Sequence, residues 1–292
     1  MPNLLLSRLG LPSAPMRLSA QRVEAGRGRL GSSRRKNILI LTATITPNAG
    51  VPNLMRSNPA QRLKDYEFAL RFYIDQVGSG IDSIVFAENS ASDLSSLRSI
   101  AAASPHTESI SFLSSYALDY PPEFDRGYGE LMLLDRVMDA LAFTEEADVV
   151  FWKVTGRYIV RNIAQVIHRA SLDAELFLHC RNRPRELVDM YLMGWTRRGY
   201  EAYLRGKCDA VATSKEHIRA GIHPEELLRS ALMPDLEAKS YRTPKSHVSL
   251  RMRPTPELQG VRAGDNKEYS VHNRWKYKLR KLAGDLVPFL WI

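Results

Sequence analysis

The chain has 292 residues, of which 44% are hydrophobic and 25% charged, and its formal net charge is +9. Most of this charge lies in residues 1–36, which hold eight basic side chains and one acidic side chain. The remaining chain is therefore nearly neutral, and no nucleic-acid-binding surface is predicted on it. Cys180 and Cys208 are the only cysteines, which argues against a disulfide framework and a thiolate zinc site. No run approaches the roughly 20 apolar residues that cross a bilayer, so a cytoplasmic protein is expected.

Residues 1–36 are rich in arginine, serine and glycine and have no sustained hydrophobic period. This composition predicts a disordered basic segment. Two alternatives stay open, an arginine-rich transit peptide and a translation start further along the chain.

From Asn37 onward, apolar β-prone runs alternate with segments of helical period. The first run is continuous over 38–41, as in strands that are covered on both faces. Asn58 and Pro59 then give a helix-start signal. Further strands are predicted at 84–87, 110–113, 149–152 and 176–178, and helices at 63–77, 92–102, 127–143 and 163–170. This alternation predicts an α/β fold with a three-layer, mostly parallel sheet.

Beyond Arg181 the pattern is looser. Residues 187–193 fit a strand or a helix, 200–204 and 224–232 fit helices, and the proline and glycine residues of 240–266 indicate a loop. One domain is therefore predicted over 37–267, followed at 268–292 by a basic amphipathic helix and an apolar tail. That helix could lie on an anionic membrane surface or pack its apolar stripe on the domain, and both interpretations stay open.

Polar side chains follow several of the predicted strands. Thr44 follows the first strand, Glu88 and Asn89 follow the second, and Lys153 follows the fourth. The carboxyl ends of parallel strands meet at one edge of a sheet, where ligands of such folds bind. We therefore expect these side chains to share a ligand site.

A second polar cluster, Gly127-Tyr128-Gly129-Glu130, lies where a helix is predicted to start. Backbone N–H groups there could bind an anion with help from the helix dipole, and Glu130 could favour the dipole or accept a hydrogen bond from a ribose or base. The cluster is not a dinucleotide fingerprint, because its third glycine would fall at Met132. An ordinary loop-to-helix turn is the alternative.

The segment from Lys153 to Tyr158 reads Lys-Val-Thr-Gly-Arg-Tyr and directly follows an apolar strand. Lys153 supplies a point charge and Arg157 a planar fork, and both suit a diphosphate. Gly156 permits close approach of the backbone, and Thr155 adds a hydroxyl group. The alternative is a surface loop that is charged because it is solvated.

The stretches 126–130 and 153–158, in this order, resemble those of a family of bacterial glycosyltransferases from capsule and exopolysaccharide gene clusters, and 88–90 resembles that family's Glu-Asn-Ser element. The resemblance spans about residues 37–280. It implies a GT-A-like fold that binds a nucleoside diphosphate sugar, with the diphosphate near Lys153 and Arg157. Arg126 stands where the family has lysine, and only Asp189 remains of a later Asp-Thr-Arg-like element.

GT-A enzymes commonly hold a divalent ion against the diphosphate with an Asp-x-Asp pair, and this sequence has none. Either Asp189 binds Mn²⁺ or Mg²⁺ with waters, or Lys153 and Arg157 replace the charge of a metal, so the cofactor stays unknown. For catalysis the sequence offers Glu226, its neighbour Glu225, and Asp189 as the base. Acidic residues behind a proline at a helix start also have a structural explanation in the helix dipole.

These observations predict a glycosyltransferase of the hexosyltransferase type. It would move a sugar from a nucleoside diphosphate sugar to a glycan or lipid-linked glycan in surface polysaccharide synthesis, in the cytoplasm or at the inner membrane surface. Two other classes stay open. One is another nucleotide-dependent Rossmann-like transferase, such as a methyltransferase, and the other is a non-catalytic relative that binds nucleotide sugars or a membrane.

Overall fold

Strands and helices alternate along the chain in the computed structural model, which describes residues 35–114, 116–141, 148–240 and 247–268. The strands are β1 Lys36–Ala43, β2 Ser83–Glu88, β3 Ile110–Leu113, β4 Val149–Thr155, β5 Ile159–Val160, β6 Leu176–Phe177, β7 Cys180–Arg181, β8 Leu187–Val188, β9 Leu192–Thr196, β10 Val248–Ser249 and β11 Leu258–Gln259. The α-helices are α1 Pro59–Ile74, α2 Ser95–Ala102, α3 Asp125–Ala140, α4 Ile163–His168, α5 Arg197–Gly199, α6 Lys215–Arg219 and α7 Pro224–Ser240.

Seven strands form the main sheet, in the order β10-β6-β9-β4-β1-β2-β3. Strand β1 pairs in parallel with β2 on one side and with β4 on the other. Strand β9 is antiparallel to both of its neighbours, β4 and β6, and the other pairings in the sheet are parallel. The predicted mostly parallel sheet is confirmed, and the direction of strand order reverses between β1 and β4.

The two faces of the sheet are buried under different helices. Leu39 and Leu41 of β1 belong to a core cluster with residues of α1, α2 and α4. Ile38 and Ile40 belong to the opposite cluster, with residues of α3 and α7. Because neighbouring strand residues point to opposite faces, the continuous apolar run of β1 serves both cores. The predicted three layers are confirmed.

Helix α1 begins where the sequence predicts. The Asn58 side chain accepts a hydrogen bond from the Gln61 N–H (3.0 Å), and Pro59 occupies the first helical position, where its missing N–H is not needed. Tyr66 and Leu70 follow at helical spacing and are buried against the sheet. This capping therefore fixes the end of α1 that lies near the end of β1.

Helix α3 begins at Asp125, two residues before the predicted start. Gly127 and Gly129 therefore lie inside the helix, and both are buried. The predicted helix over 127–143 is thus present with shifted ends, and its two glycines belong to the first turns rather than to the start. The close packing of these two glycines is described below.

The second half of the chain completes the sheet. Residues 187–193, which fit a strand or a helix in sequence, form β8 and the start of β9. Helix α7 continues past the predicted end at residue 232 to Ser240 and includes Pro234. The segment 240–266, predicted as a loop, contains β10 and β11.

The predicted ends of the domain are only partly covered. Lys36 pairs with Val149 and belongs to β1, whereas residues 1–34 of the predicted basic segment lie outside the described residues. The predicted C-terminal helix and tail from residue 269 onward also lie outside them. No helix within the described ranges has the length and apolar character needed to cross a membrane.

Candidate functional site

A cleft opens at the carboxyl ends of β1 and β4, where the strand order reverses. Open α/β sheets bind their ligands in the crevice at such a switch point. Its empty space is about 640 Å³, open solvent at the mouth included. Its polar lining is Thr42, Thr44, Asn48, Arg62, Tyr66, Asn89, Tyr120, Arg126, Glu130, Thr155 and Arg157, and its apolar lining is Ala43, Pro47, Val51, Leu54, Leu118 and Leu133.

The floor of the cleft is a buried network around Glu130. Glu130 Oε1 accepts hydrogen bonds from Thr42 Oγ1 (2.6 Å) and Thr155 Oγ1 (2.9 Å). The same oxygen lies 2.7 Å from Lys153 Nζ, and the Lys153 side chain has no exposed surface. Lys153 Nζ also donates to Thr155 Oγ1 (3.2 Å) and to the Met190 carbonyl. One carboxylate thus ties together β1, α3 and β4.

The predicted contact between Lys153 and a diphosphate does not fit this network. Strand β4 continues to Thr155, so Lys153 is an interior strand residue, and its three donors already meet Glu130, Thr155 and Met190. Burial acts to raise the pKa of Glu130, but the lysine ammonium and the hydroxyl donors outweigh it and hold that pKa below its ordinary value. Burial also lowers the pKa of Lys153, and Glu130 opposes that shift.

Arg62 of α1 lines the cleft and is only 6% exposed. Its Nε donates to the Thr44 carbonyl (2.7 Å), its Nη1 to the Arg56 carbonyl (3.0 Å) and its Nη2 to the Tyr66 hydroxyl (3.2 Å). No carboxylate oxygen of the described residues lies within 4.0 Å of an Arg62 nitrogen, the limit for a salt bridge. This buried positive charge therefore meets only neutral oxygen atoms in the described part of the chain.

Arg157 also lines the cleft and has the same character. Its side chain, 8% exposed, follows the end of β4 and donates to the Val261 carbonyl and to the Tyr158 hydroxyl (2.7 Å). The guanidinium carbon also lies 4.4 Å from the centre of the Tyr158 ring. Among the described residues, Arg157 likewise has no carboxylate at salt-bridge distance.

Arg126 reaches the cleft from the first turn of α3 and is the most exposed of the three arginines. Its side chain is 41% exposed, and its Nε donates to Asp125 Oδ1 (3.1 Å). Glu130 is the single carboxylate in the described lining, and Lys153 already neutralises it. The cleft is therefore electropositive.

Thr44 and Asn89, predicted to contact a donor, both line the cleft. Thr44 Oγ1 donates to Asn89 Oδ1 (2.6 Å). Glu88, predicted with them, is fully buried instead. Its carboxylate accepts from the Ile45 N–H (3.0 Å) and the Ser90 N–H (2.9 Å), so it holds the loops after β1 and β2 in place.

Close packing explains Gly127 and Gly129. A Cβ atom on Gly127 would lie 2.4 Å from Pro224 Cβ, and one on Gly129 would lie 1.9 Å from the Tyr120 hydroxyl. Tyr128, between them, packs against Tyr120 with ring centres 5.3 Å apart and ring planes tilted by 53°, and it does not line the cleft. These residues pack against Tyr120 and Pro224 and so support the wall of the cleft. Their predicted role in donor binding stays a prediction.

Gly156 and Tyr158 hold the end of β4 against its neighbours. A Cβ atom on Gly156 would lie 2.9 Å from the Thr42 carbonyl oxygen, which accepts from the Gly156 N–H (2.8 Å). The close approach predicted for Gly156 is thus made to β1. The Tyr158 carbonyl accepts from the Tyr73 hydroxyl (2.9 Å).

The predicted catalytic residues Asp189 and Glu226 do not line the cleft. Asp189 is buried and pairs with Arg181. Glu226 accepts from Arg185 Nη1 (2.8 Å). The sequence does not identify these acids as ion-pair partners, because Arg181 stands 8 residues from Asp189 and Arg185 stands 41 residues from Glu226. These charges become neighbours only when the chain folds.

Glu225 is the acid of α7 that lies near the cleft. It is close enough to Arg126 for each to shift the pKa of the other. Burial raises the pKa of Glu225, and Arg126 opposes that shift. Glu225 is not in the described lining either, so the base stays a prediction, with Glu225 the candidate of α7 that interacts with a lining residue.

Sequence reasoning missed Arg62, Tyr120 and the apolar wall near residues 47–54. A signal for Arg62 exists, because it stands four residues before Tyr66 on α1 and so shares its helix face. An arginine on an apolar helix stripe indicates a buried guanidinium.

Burial raises the pKa of Tyr120 to about 12, so its hydroxyl stays protonated and can donate.

Comparisons with known proteins give no family. No family model matches the chain, and no curated protein matches it significantly. A solved structure from Desulfovibrio desulfuricans G20, provisionally described as a nucleotide-diphospho-sugar transferase, matches 73% of this chain and 78% of its own, with 9% identity and a TM-score of 0.38. A likeness this distant carries no argument about activity.

Proposed function

We propose that this protein is a glycosyltransferase that uses a nucleoside diphosphate sugar. The observation that carries the proposal is the pair of buried arginines, Arg62 and Arg157, in the switch-point cleft. A buried charge is costly unless an opposite charge compensates it, and these two have no carboxylate partner among the described residues. A diphosphate, with one negative charge on each phosphate group, supplies the compensation.

The two kinds of lining favour a nucleotide over a free diphosphate. Pro47, Val51 and Leu54 form an apolar wall that suits a base, and the Thr44–Asn89 pair suits a ribose. Glu130 Oε2 accepts no hydrogen bond from the described residues, whereas its Oε1 accepts all of those described above. The free oxygen can accept from a sugar hydroxyl.

Glu225 is our candidate for the catalytic base of an inverting transfer. It would take the proton of the acceptor hydroxyl while that oxygen bonds to the anomeric carbon of the sugar. The bond between this carbon and the diphosphate oxygen breaks, and the nucleoside diphosphate leaves with its charge balanced by the arginines. The raised pKa of Glu225 makes it a stronger base than an ordinary carboxylate.

The acceptor is proposed from the sequence resemblance alone. The stretches 126–130 and 153–158 resemble those of capsule and exopolysaccharide glycosyltransferases, which supports transfer of a hexose to a glycan or lipid-linked glycan. The basic composition of 268–292 supports contact with an anionic membrane surface, where a lipid-linked acceptor would lie.

A thermal-shift screen tests the proposal, followed by a turnover assay. Full-length protein is heated with UDP, GDP, CMP and the corresponding nucleotide sugars, and we expect one base class to stabilise it. Ligand at about 100 times its dissociation constant should add about 2.7 kcal/mol to the free energy of unfolding. Binding without release of nucleotide in the presence of glycan acceptors would favour the non-catalytic relative. A folded protein that binds none of these ligands would contradict the proposal.

A further inference from the structure

Three carboxylates in or around the cleft are already paired with cations. Glu130 lies 2.7 Å from Lys153 Nζ, Asp125 accepts from Arg126, and Asp189 pairs with Arg181. A divalent metal such as Mg²⁺ needs oxygen ligands whose negative charge is available to it. No group of three His, Cys, Asp or Glu side chains in the described part of the chain could hold a metal ion. The donor set therefore does not fit the metal that a GT-A-like fold implies.

Three arginines from three different elements line the cleft and supply positive charge there. Arg62 comes from α1, Arg126 from the first turn of α3, and Arg157 from the segment after β4. Among the charged residues of the lining, Glu130 is paired with Lys153 and Arg126 is paired with Asp125. The two lining charges without such a partner are those of Arg62 and Arg157. This surplus matches the two charges of a diphosphate that is esterified at both ends.

The two buried guanidinium groups are held before any ligand arrives. Carbonyl and hydroxyl oxygens fix Arg62 through three of its nitrogen atoms and Arg157 through two. Donors that are already oriented need little reorganisation when a charge appears beside them. Arg126 differs, since no described residue accepts a hydrogen bond from its two terminal nitrogen atoms, and these can form the planar fork that suits a phosphate.

We infer that this protein binds the diphosphate of its donor through Arg62, Arg126 and Arg157 and requires no divalent metal. The inference rests on the proposed function. It assigns the charge compensation to three guanidinium groups, in place of the predicted pair of Lys153 and Arg157.

Isothermal titration of the full chain tests the inference. UDP, GDP, CDP and dTDP are titrated in EDTA and again with Mn²⁺, using the wild type and the variants Arg62→Gln, Arg157→Gln and Arg126→Ala. Arg136→Ala is the matched control, because Arg136 lies on the same helix as Arg126 and pairs with exposed Asp119 outside the cleft. Urea unfolding checks that each variant folds.

We expect one diphosphate to bind equally well in EDTA and with Mn²⁺. Each glutamine variant should weaken it by at least about tenfold, Arg126→Ala should weaken it less, and Arg136→Ala should leave it unchanged. Binding that requires Mn²⁺, or that Mn²⁺ strengthens tenfold, would overturn the inference and leave the proposed function standing. Failure of every diphosphate to bind under both conditions would overturn both. If a glutamine variant does not fold, Arg126→Ala and the metal comparison on the wild type still decide the question.

Discussion

Lys153 and Glu130 form a buried ion pair whose two charges depend on each other. The Lys153 side chain has no exposed surface and that of Glu130 is 18% exposed. Removing one partner of such a pair leaves an uncompensated buried charge, which costs about 3–5 kcal/mol, whereas replacing both is much less harmful. The pair therefore makes the floor of the cleft a structural element as well as a part of the site.

We expect Lys153→Met to lower the free energy of unfolding by about 3–5 kcal/mol. The double variant Lys153→Met/Glu130→Gln should lose less than the sum of the two single variants, because neither charge is then left alone. Urea unfolding measures these values. Arg136→Ala breaks the exposed pair with Asp119 and should cost at most about 1 kcal/mol. A Lys153→Met protein as stable as this control would contradict the buried pair.

The Glu130 carboxylate should also make the stability depend on pH. Its pKa is held below the ordinary 4.5 in the folded protein. A carboxyl group of this kind contributes stability that is complete above its unfolded pKa and is lost as the pH falls through its folded pKa. We expect the free energy of unfolding to fall below about pH 4.5, and to fall less steeply in Glu130→Gln. Parallel curves for the two proteins in urea unfolding would show that Glu130 is not responsible.

Helix α3 is the element that brings the two halves of the cleft together. Its first turns carry Arg126 and Glu130 into the site, and Gly127 lets the helix approach Pro224 at the start of α7. Pro224 is buried and its ring cannot rotate away, whereas Tyr120 meets Gly129 with the end of its side chain. The two glycines therefore tolerate an added methyl group differently.

We expect Gly127→Ala to destabilise the protein more than Gly129→Ala. Overpacking against a rigid neighbour costs about 1–3 kcal/mol, while alanine gains about 1 kcal/mol over glycine in helix propensity. Gly129→Ala should be nearly neutral in urea unfolding but should weaken nucleotide binding, because it displaces Tyr120 from the cleft. If Gly127→Ala instead abolished binding at unchanged stability, Gly127 would be an anion-binding residue, as the sequence first indicated.

At the scale of the whole molecule, the sequence predicts the layers better than it predicts the chemistry. The apolar run of β1 and the helical period of α1 predict which of their residues are buried without knowledge of distant segments. The three-layer sheet could therefore be predicted from such patterns. The antiparallel direction of β9 does not, because it depends on which distant strands become its neighbours. Lys153 shows the same limit, since no local pattern separates a lysine at a strand end from one inside a strand.

The surplus of positive charge in the cleft is likewise a property of the assembled molecule. Arg62, Arg126 and Arg157 stand far apart in sequence, and each could be solvated in isolation. Only the reversal of strand order at β1 and β4 brings them to one crevice. The place of Arg157 in the cleft could therefore be predicted from sequence, because it follows a strand end. The place of Arg62 could not, because it depends on where α1 packs on the sheet.

Hydrogen–deuterium exchange on the full chain tests most directly whether the cleft between β1 and β4 binds a nucleoside diphosphate. The chain is compared with and without a saturating amount of the nucleotide that stabilises it most. We expect the amides of residues 43–48, 125–130 and 155–158 to exchange more slowly with nucleotide, and those of α5 and α6 to be unaffected. Protection confined to residues outside this cleft, while the nucleotide is bound, would contradict the account.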